Sequence, residues 1–164
     1  MTAPAITTIE QATIREDVRD GIARGIAAIG LAGVALIHLL DLPGKLSETP
    51  YMFFLYLALI LSSIALAGVL IRTSDTRVWA ATTVLPALVI VGYVLSRTTG
   101  LPQSSDDIGN WSEPLGMASL FVEGFLVTLG SSVLCGRWMR RETGVYAGMG
   151  HGAERHGLHE PTGA

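Results

Sequence analysis

Two ionisable side chains interrupt long apolar stretches of this chain, where charge is costly. Arg97 stands near the end of one hydrophobic run and Glu123 about two turns inside the next, with the acid-rich segment LPQSSDDIGNWSEP between them. Ionisable groups in such surroundings are functional candidates by default, because hydrocarbon offers them no solvation. The spacing allows the two to meet, since an arginine side chain of roughly 6–7 Å can point down a helix as readily as it snorkels up. Glu123 would then carry a proton, ligate an ion or balance a cationic ligand, with Arg97 compensating it or binding an anion. The plainer alternatives are a structural glutamate hydrogen-bonded to Arg97, Ser119 or another helix, and an arginine that snorkels to the interface.

Five further groups belong near this pair. Tyr93 lies one turn before Arg97, and His38 ends the first apolar run, followed by Asp41, Glu48 and, much later, Glu113. His38, Asp41, Glu48 and Glu113 would suit a borderline divalent metal, although spacing alone does not bring them together. A haem held by two histidines would need a second histidine in another apolar run, and His151, His156 and His159 all fall in the tail. No cofactor is therefore assigned. No nucleophile motif, phosphate loop, HExxH or CxxC occurs, so no catalytic residue is assigned and an enzyme is the disfavoured class.

The elements that must hold these groups are four apolar segments. Of 164 residues, 49% are hydrophobic and only 15% charged, against about 25% charged in ordinary soluble domains. Residues 21–40, 51–71, 78–100 and 114–138 are each long enough to cross a hydrocarbon core of ~30 Å as a helix. Helices are required there because every backbone polar group must be satisfied internally. The expected architecture is all-α: a four-helix antiparallel transmembrane bundle. An interfacial segment over 1–20 precedes it, and a disordered glycine- and histidine-rich tail over 142–164 follows the membrane domain of 21–141.

Local residues set the boundaries. Pro43, Gly44 and Pro50 predict a loop over 41–50, while Pro86 predicts a kink in the third span. Pro114 suits the first position of the fourth helix. Trp79 and the cluster Tyr51, Phe53, Phe54 and Tyr56 read as interfacial aromatics. Ile14, Val18, Ile22, Ile26 and Ile29 form one stripe, with Arg15, Glu16, Arg19 and Asp20 facing away. The first span is crowded with glycine and alanine, which marks a close-packing seam.

Charge sets the orientation. Arg15, Arg19, Arg24, Arg72, Arg77, Arg137, Arg140 and Arg141 flank one side of the four segments, whereas the opposite loops carry only Lys45. By the positive-inside rule both termini are cytoplasmic. The acidic loops then face outward, and Glu123 lies about 13 Å below the outer surface at 1.5 Å per residue. The net charge of -3 and the lack of a basic stripe exclude a nucleic-acid partner. The lipid bilayer is the expected partner, with a homo-oligomer or another membrane protein as a further possibility. Cys135 is the only cysteine, so no intrachain disulfide forms.

The segments HLLDLPGKLSETPY, GYVLSRTTGLP and NWSEPLGMASLFVE resemble those of uncharacterised small integral membrane proteins of actinobacteria. The likeness spans 37–123 and implies four helices and an outer-side polar cluster, without implying an activity. The sequence thus points to a protein of the bacterial plasma (inner) membrane with a polar pocket in the outer half of its bundle, binding an ion or small ligand or accessory to transport. Its competitors are a non-catalytic assembly subunit of a membrane complex and a metal- or redox-handling protein.

Overall fold

The computed structural model describes residues 8–156 apart from Ser104, and their side chains except at 8–9, 47–48, 106 and 141–156. Its elements are α1 (Thr8–Glu48), α2 (Pro50–Arg72), α3 (Thr76–Thr98), a short 3₁₀ turn (Ser105–Asp107) and α4 (Pro114–His156). The fold is an all-α four-helix bundle. Each helix contains a segment long and apolar enough to cross a membrane: Glu10–Leu46, Pro50–Arg72, Thr76–Thr98 and Pro114–Arg140.

The expected loop over 41–50 is absent. Instead α1 runs through Pro43 to Glu48, and Thr49 alone separates it from α2. A proline removes one helix hydrogen bond, but the Lys45–Asp41 ion pair at 3.8 Å straddles it one turn apart and supports the helix across the break. Asp41 and Lys45 are thereby fixed to a helix face. Pro50 then takes the first turn of α2, where its missing N–H costs nothing. At the other end, the Asp75 carboxylate accepts from the Arg77 backbone N–H at 2.7 Å and starts α3. The helix α3 continues through Pro86.

Beyond its expected end near residue 138, α4 remains helical as far as His156, where the composition predicts a disordered tail. No proline occurs between Pro114 and Pro161 to stop it. The end of that tail, 157–164, lies outside the described residues.

Packing divides the bundle unevenly. The α1–α2 and α3–α4 pairs make the broadest contacts, α1 also packs on α4, and α2 touches α3 only sparsely. A core of Ala27, Leu31, Val34, Leu70, Trp79 and Leu126 fills the centre. Trp79 is fully buried there, and Arg137 closes over its ring at 5.9 Å. The stripe from Ile14 to Ile29 is exposed, while Ala27 and Ala28 are buried. That is the arrangement hydrocarbon favours: small residues at the seam, branched ones against lipid.

Two glycines show how close the helices come. A Cβ on Gly30 would lie 2.8 Å from the Leu126 side chain, and one on Gly130 would collide with Thr83 Oγ1. Thr83 cannot readily turn away, since its hydroxyl donates to the Trp79 carbonyl at 2.8 Å and its χ1 is stiff. Gly130→Ala is therefore expected to destabilise the folded protein by about 1–3 kcal/mol. Combining it with Thr83→Ala should recover part of that loss. Unfolding in mixed micelles measures both, and strictly additive costs would count against this contact.

Candidate functional site

The site is built at the end of the bundle where α3 stops. Gly100 adopts φ +76°, and its N–H joins that of Thr99 on the Leu95 carbonyl, a left-handed helix ending. The chain then folds back, with the Gly109 N–H donating to the Arg97 carbonyl at 2.9 Å. This return carries Asp107 and Glu113 over the end of α3.

Arg97 is the centre of the arrangement. It is only 6% exposed, yet its Nη1 reaches Asp107 Oδ1 at 2.6 Å and its Nη2 reaches Glu113 Oε2 at 2.6 Å. The guanidinium lies 4.9 Å above the Tyr93 ring, and the Tyr93 hydroxyl donates to the Trp111 carbonyl at 3.3 Å. Tyr51 on α2 donates to the Pro102 carbonyl at 2.7 Å and ties that helix to the same loop. Planar forks of this kind favour carboxylates on both arms, which lysine could not serve equally.

The expected partnership of Arg97 with Glu123 does not form. Charge is better satisfied by the two loop carboxylates, which stay partly solvated and so cost less to bring together. Glu123 is fully buried. One of its oxygens accepts from Ser119 Oγ at 2.6 Å, and Oε2 has no hydrogen-bond partner.

Below Arg97 a cavity of about 690 Å³ opens between the helices. His38 and Asp41 from α1, Tyr93 and Arg97 from α3, and Glu113 before α4 all line it, so five of the seven sequence candidates share one wall. Glu123 does not line it, although Ser119 does and stands between the two. The side chain of Glu48 lies outside the described residues. His38 Nδ1 lies 2.9 Å from the Val34 carbonyl. With a carbonyl partner only donation is possible, which leaves Nε2 as the acceptor. Its ring meets Tyr56 edge-on at 4.9 Å, and the Asp41 carboxylate faces the Tyr56 hydroxyl.

Three groups carry no distinguishing signal in the sequence. Tyr51, Tyr56 and Asp107 line the cavity, but aromatic residues at the start of a span and an acid in a loop look alike whether they serve a site or an interface. At the opposite end, Arg137 Nη2 meets Asp20 Oδ1 at 2.9 Å and Ser74 Oγ at 2.9 Å, and its Nη1 donates to the Ser74 carbonyl. Arg24 Nε also meets Asp20, at 3.1 Å. Arg137 thus joins α1, the α2–α3 turn and α4, and Asp20, as its partner on α1, does not simply face outward.

Among the described residues no three His, Cys, Asp or Glu side chains are grouped to hold a metal ion. His38, Asp41 and Glu113 share a cavity without forming a ligand set, because Glu113 is committed to Arg97. Compared with protein-family models, curated proteins and solved structures, the chain matches none. The site is therefore read from its geometry.

Arg97→Ala is expected to lower stability by about 2–3 kcal/mol, less than the ~3–5 of a fully buried pair, since Asp107 and Glu113 keep about a third of their exposure. In double-mutant cycles Arg97 should couple to Glu113 by ~0.5–3 kcal/mol and be nearly additive with Glu123. Strong coupling to Glu123 would contradict the ion triad. A second expectation concerns Glu123 itself: replacing it with leucine together with Ser119→Ala removes an unsatisfied buried oxygen along with its one partner. Stability should then change by less than ~1 kcal/mol or rise; a large loss in the same unfolding assay would make Glu123 structural.

Proposed function

We propose that this is a multi-pass protein of the bacterial plasma (inner) membrane, its four spans antiparallel and both termini cytoplasmic, which binds a small polar or charged ligand in the outer cavity. The observation that carries the reading is the 690 Å³ cavity with a nearly buried arginine, three tyrosines, a histidine and three carboxylates at its wall. Spanning helices bury such groups when a ligand or ion needs them, since packing alone is served better by apolar residues. The orientation rests on eight arginines on one side against Lys45 and Arg97 on the other. The antiparallel order is supported by the one-residue α1–α2 link and by Tyr93 facing Gly116 while Thr83 faces Gly130. The site can serve as a receptor or as the recognition element of a transport system.

An assembly subunit is the weaker reading. Part of the small-residue face of α1 that would dock a partner is used inside the bundle, Gly30 against Leu126 and Gly33 against Val122, which leaves Gly21 and Gly25 open.

Gly92 provides the test, because it lines the cavity and a Cβ there meets nothing within 4 Å. In a Cys135→Ser background, Gly92→Cys is expected to react with a membrane-impermeant thiol reagent added to intact cells. Gly68→Cys, on the exposed side of α2 away from the cavity, should not. Reaction of Gly92→Cys only in inside-out vesicles would reverse the orientation, and inertness from both sides would remove the ligand site.

A further inference from the structure

The cavity does not end where its polar wall ends. A second hollow of about 500 Å³ lies between α2 and α3, and the two share Ser62, Leu85 and Leu88. Its wall is otherwise Ala65, Leu66, Val69, Ala81 and Val84. Val84 is 53% exposed and Leu88 62%, so the trench opens sideways, where a bilayer would present its acyl chains. The cause is the sparse contact between α2 and α3, the weakest seam between consecutive helices in the bundle. The trench walls run from Ser62 to Val69 and from Ala81 to Leu88, ~10 Å at 1.5 Å per residue, about two thirds of one leaflet of a ~30 Å hydrocarbon core.

A ligand filling both spaces has a polar end and a long apolar end. The polar end meets Asp41, Asp107 and Glu113 against Arg97 and Lys45, an excess of one formal negative charge; Asp41 is loosely paired with Lys45 at 3.8 Å, so an ammonium there shares that carboxylate with the lysine. Arg97 is already spanned by two carboxylates, which leaves it a poor anchor for an anion. Tyr51 and Tyr56 add aromatic rings to the same wall, and such rings attract ammonium groups.

We infer that the cavity and trench together bind a single-chain amphiphilic cation, its ammonium among Asp41, Tyr51 and Tyr56 and its hydrocarbon chain between α2 and α3. The inference rests on the ligand-binding reading above and narrows it to a chemical class. The chain enters from the lipid, past Leu88, and the head stops at the polar wall. The acidic lining repels a carboxylate or phosphate head of the same length, which separates a free cationic amphiphile from a phospholipid.

The test uses the full-length protein carrying Cys135→Ser and Gly92→Cys in uncharged maltoside micelles, with protection of the introduced thiol from the labelling reagent as the readout. Dodecyltrimethylammonium should protect at a concentration at least about tenfold below that needed for tetramethylammonium, an advantage that two buried methylenes supply. Dodecanoate and lysophosphatidylcholine should protect poorly. Leu88→Trp, which fills the trench from its exposed side, should abolish the advantage of the chain while tetramethylammonium still protects; Val84→Trp serves equally if the first variant does not fold. Equal protection by dodecanoate or lysophosphatidylcholine would overturn the assignment of a cation. An unchanged chain advantage in both tryptophan variants would remove the trench. A dimer that becomes monomeric in Leu88→Trp would show a second copy occupying the trench instead. If tetramethylammonium protects and the chain adds nothing, the cavity reading survives and this inference fails; if position 92 never reacts, both fail.

Discussion

Placing an arginine at the end of an apolar helix creates a demand for negative charge, and one end of this protein is organised by how that demand is met. Arg97 is nearly inaccessible, so its guanidinium must find counter-charges within the fold. It draws them from the loop and not from the neighbouring span. Asp107 and Glu113 each reach one arm of the fork, and to do so the loop must reverse at Gly100 and settle back on α3 through Gly109. The ion triad therefore fixes the conformation of a long connection and the approach of α4, whose first turn begins beside Glu113. The cavity roof follows from that one set of contacts.

The opposite end repeats the logic with different residues. Arg137 is held by Asp20, Ser74 and Thr76, which joins three parts of the chain where the α2–α3 turn emerges. Between these two polar clamps the helices, among the described residues, are held mainly by van der Waals contact, and there the small residues matter. Gly30, Gly33, Gly116 and Gly130 let α1 and α3 close against α4. No comparable glycine draws α2 to α3 among the described residues, and those two helices remain apart. A seam without small residues is a seam with space.

How much of this is legible in the sequence divides along the same lines. Four spans, the packing role of the small residues on α1 and the importance of Arg97 follow from hydropathy and composition, because hydrocarbon leaves few ways to satisfy a backbone or a charge. The residues at the cavity wall are largely found for the same reason. The partner of Arg97 is not, since spacing along a helix gives depth and says nothing about where a loop folds back. At Pro43 the helix continues through the proline, with Asp41 and Lys45 paired across it; that i,i+4 pair is visible in the sequence but is outweighed there by two prolines and a glycine. The burial of Trp79 is not visible because a tryptophan at the start of an apolar run has the same local sequence whether it is exposed or packed in the core. Asp20 is missed because its partner Arg137 is 117 positions away.

Glu123 is the residue that these constraints leave over. It is fully buried, receives one hydrogen bond from Ser119 and presents its second oxygen to nothing. Neither clamp uses it, and the glycine contacts at Gly30 and Gly33 reach its neighbours Leu126 and Val122 without requiring a carboxyl between them. A leucine would fill that place with less cost in an apolar interior. Ser119 faces the cavity on one side and Glu123 on the other, so the glutamate is connected to the ligand space through a single hydroxyl that can rotate. A cation entering the cavity would offer that hydroxyl and the acid behind it a reason to reorient, whereas packing offers none. Glu123 therefore adjoins the cavity through Ser119 without lining it.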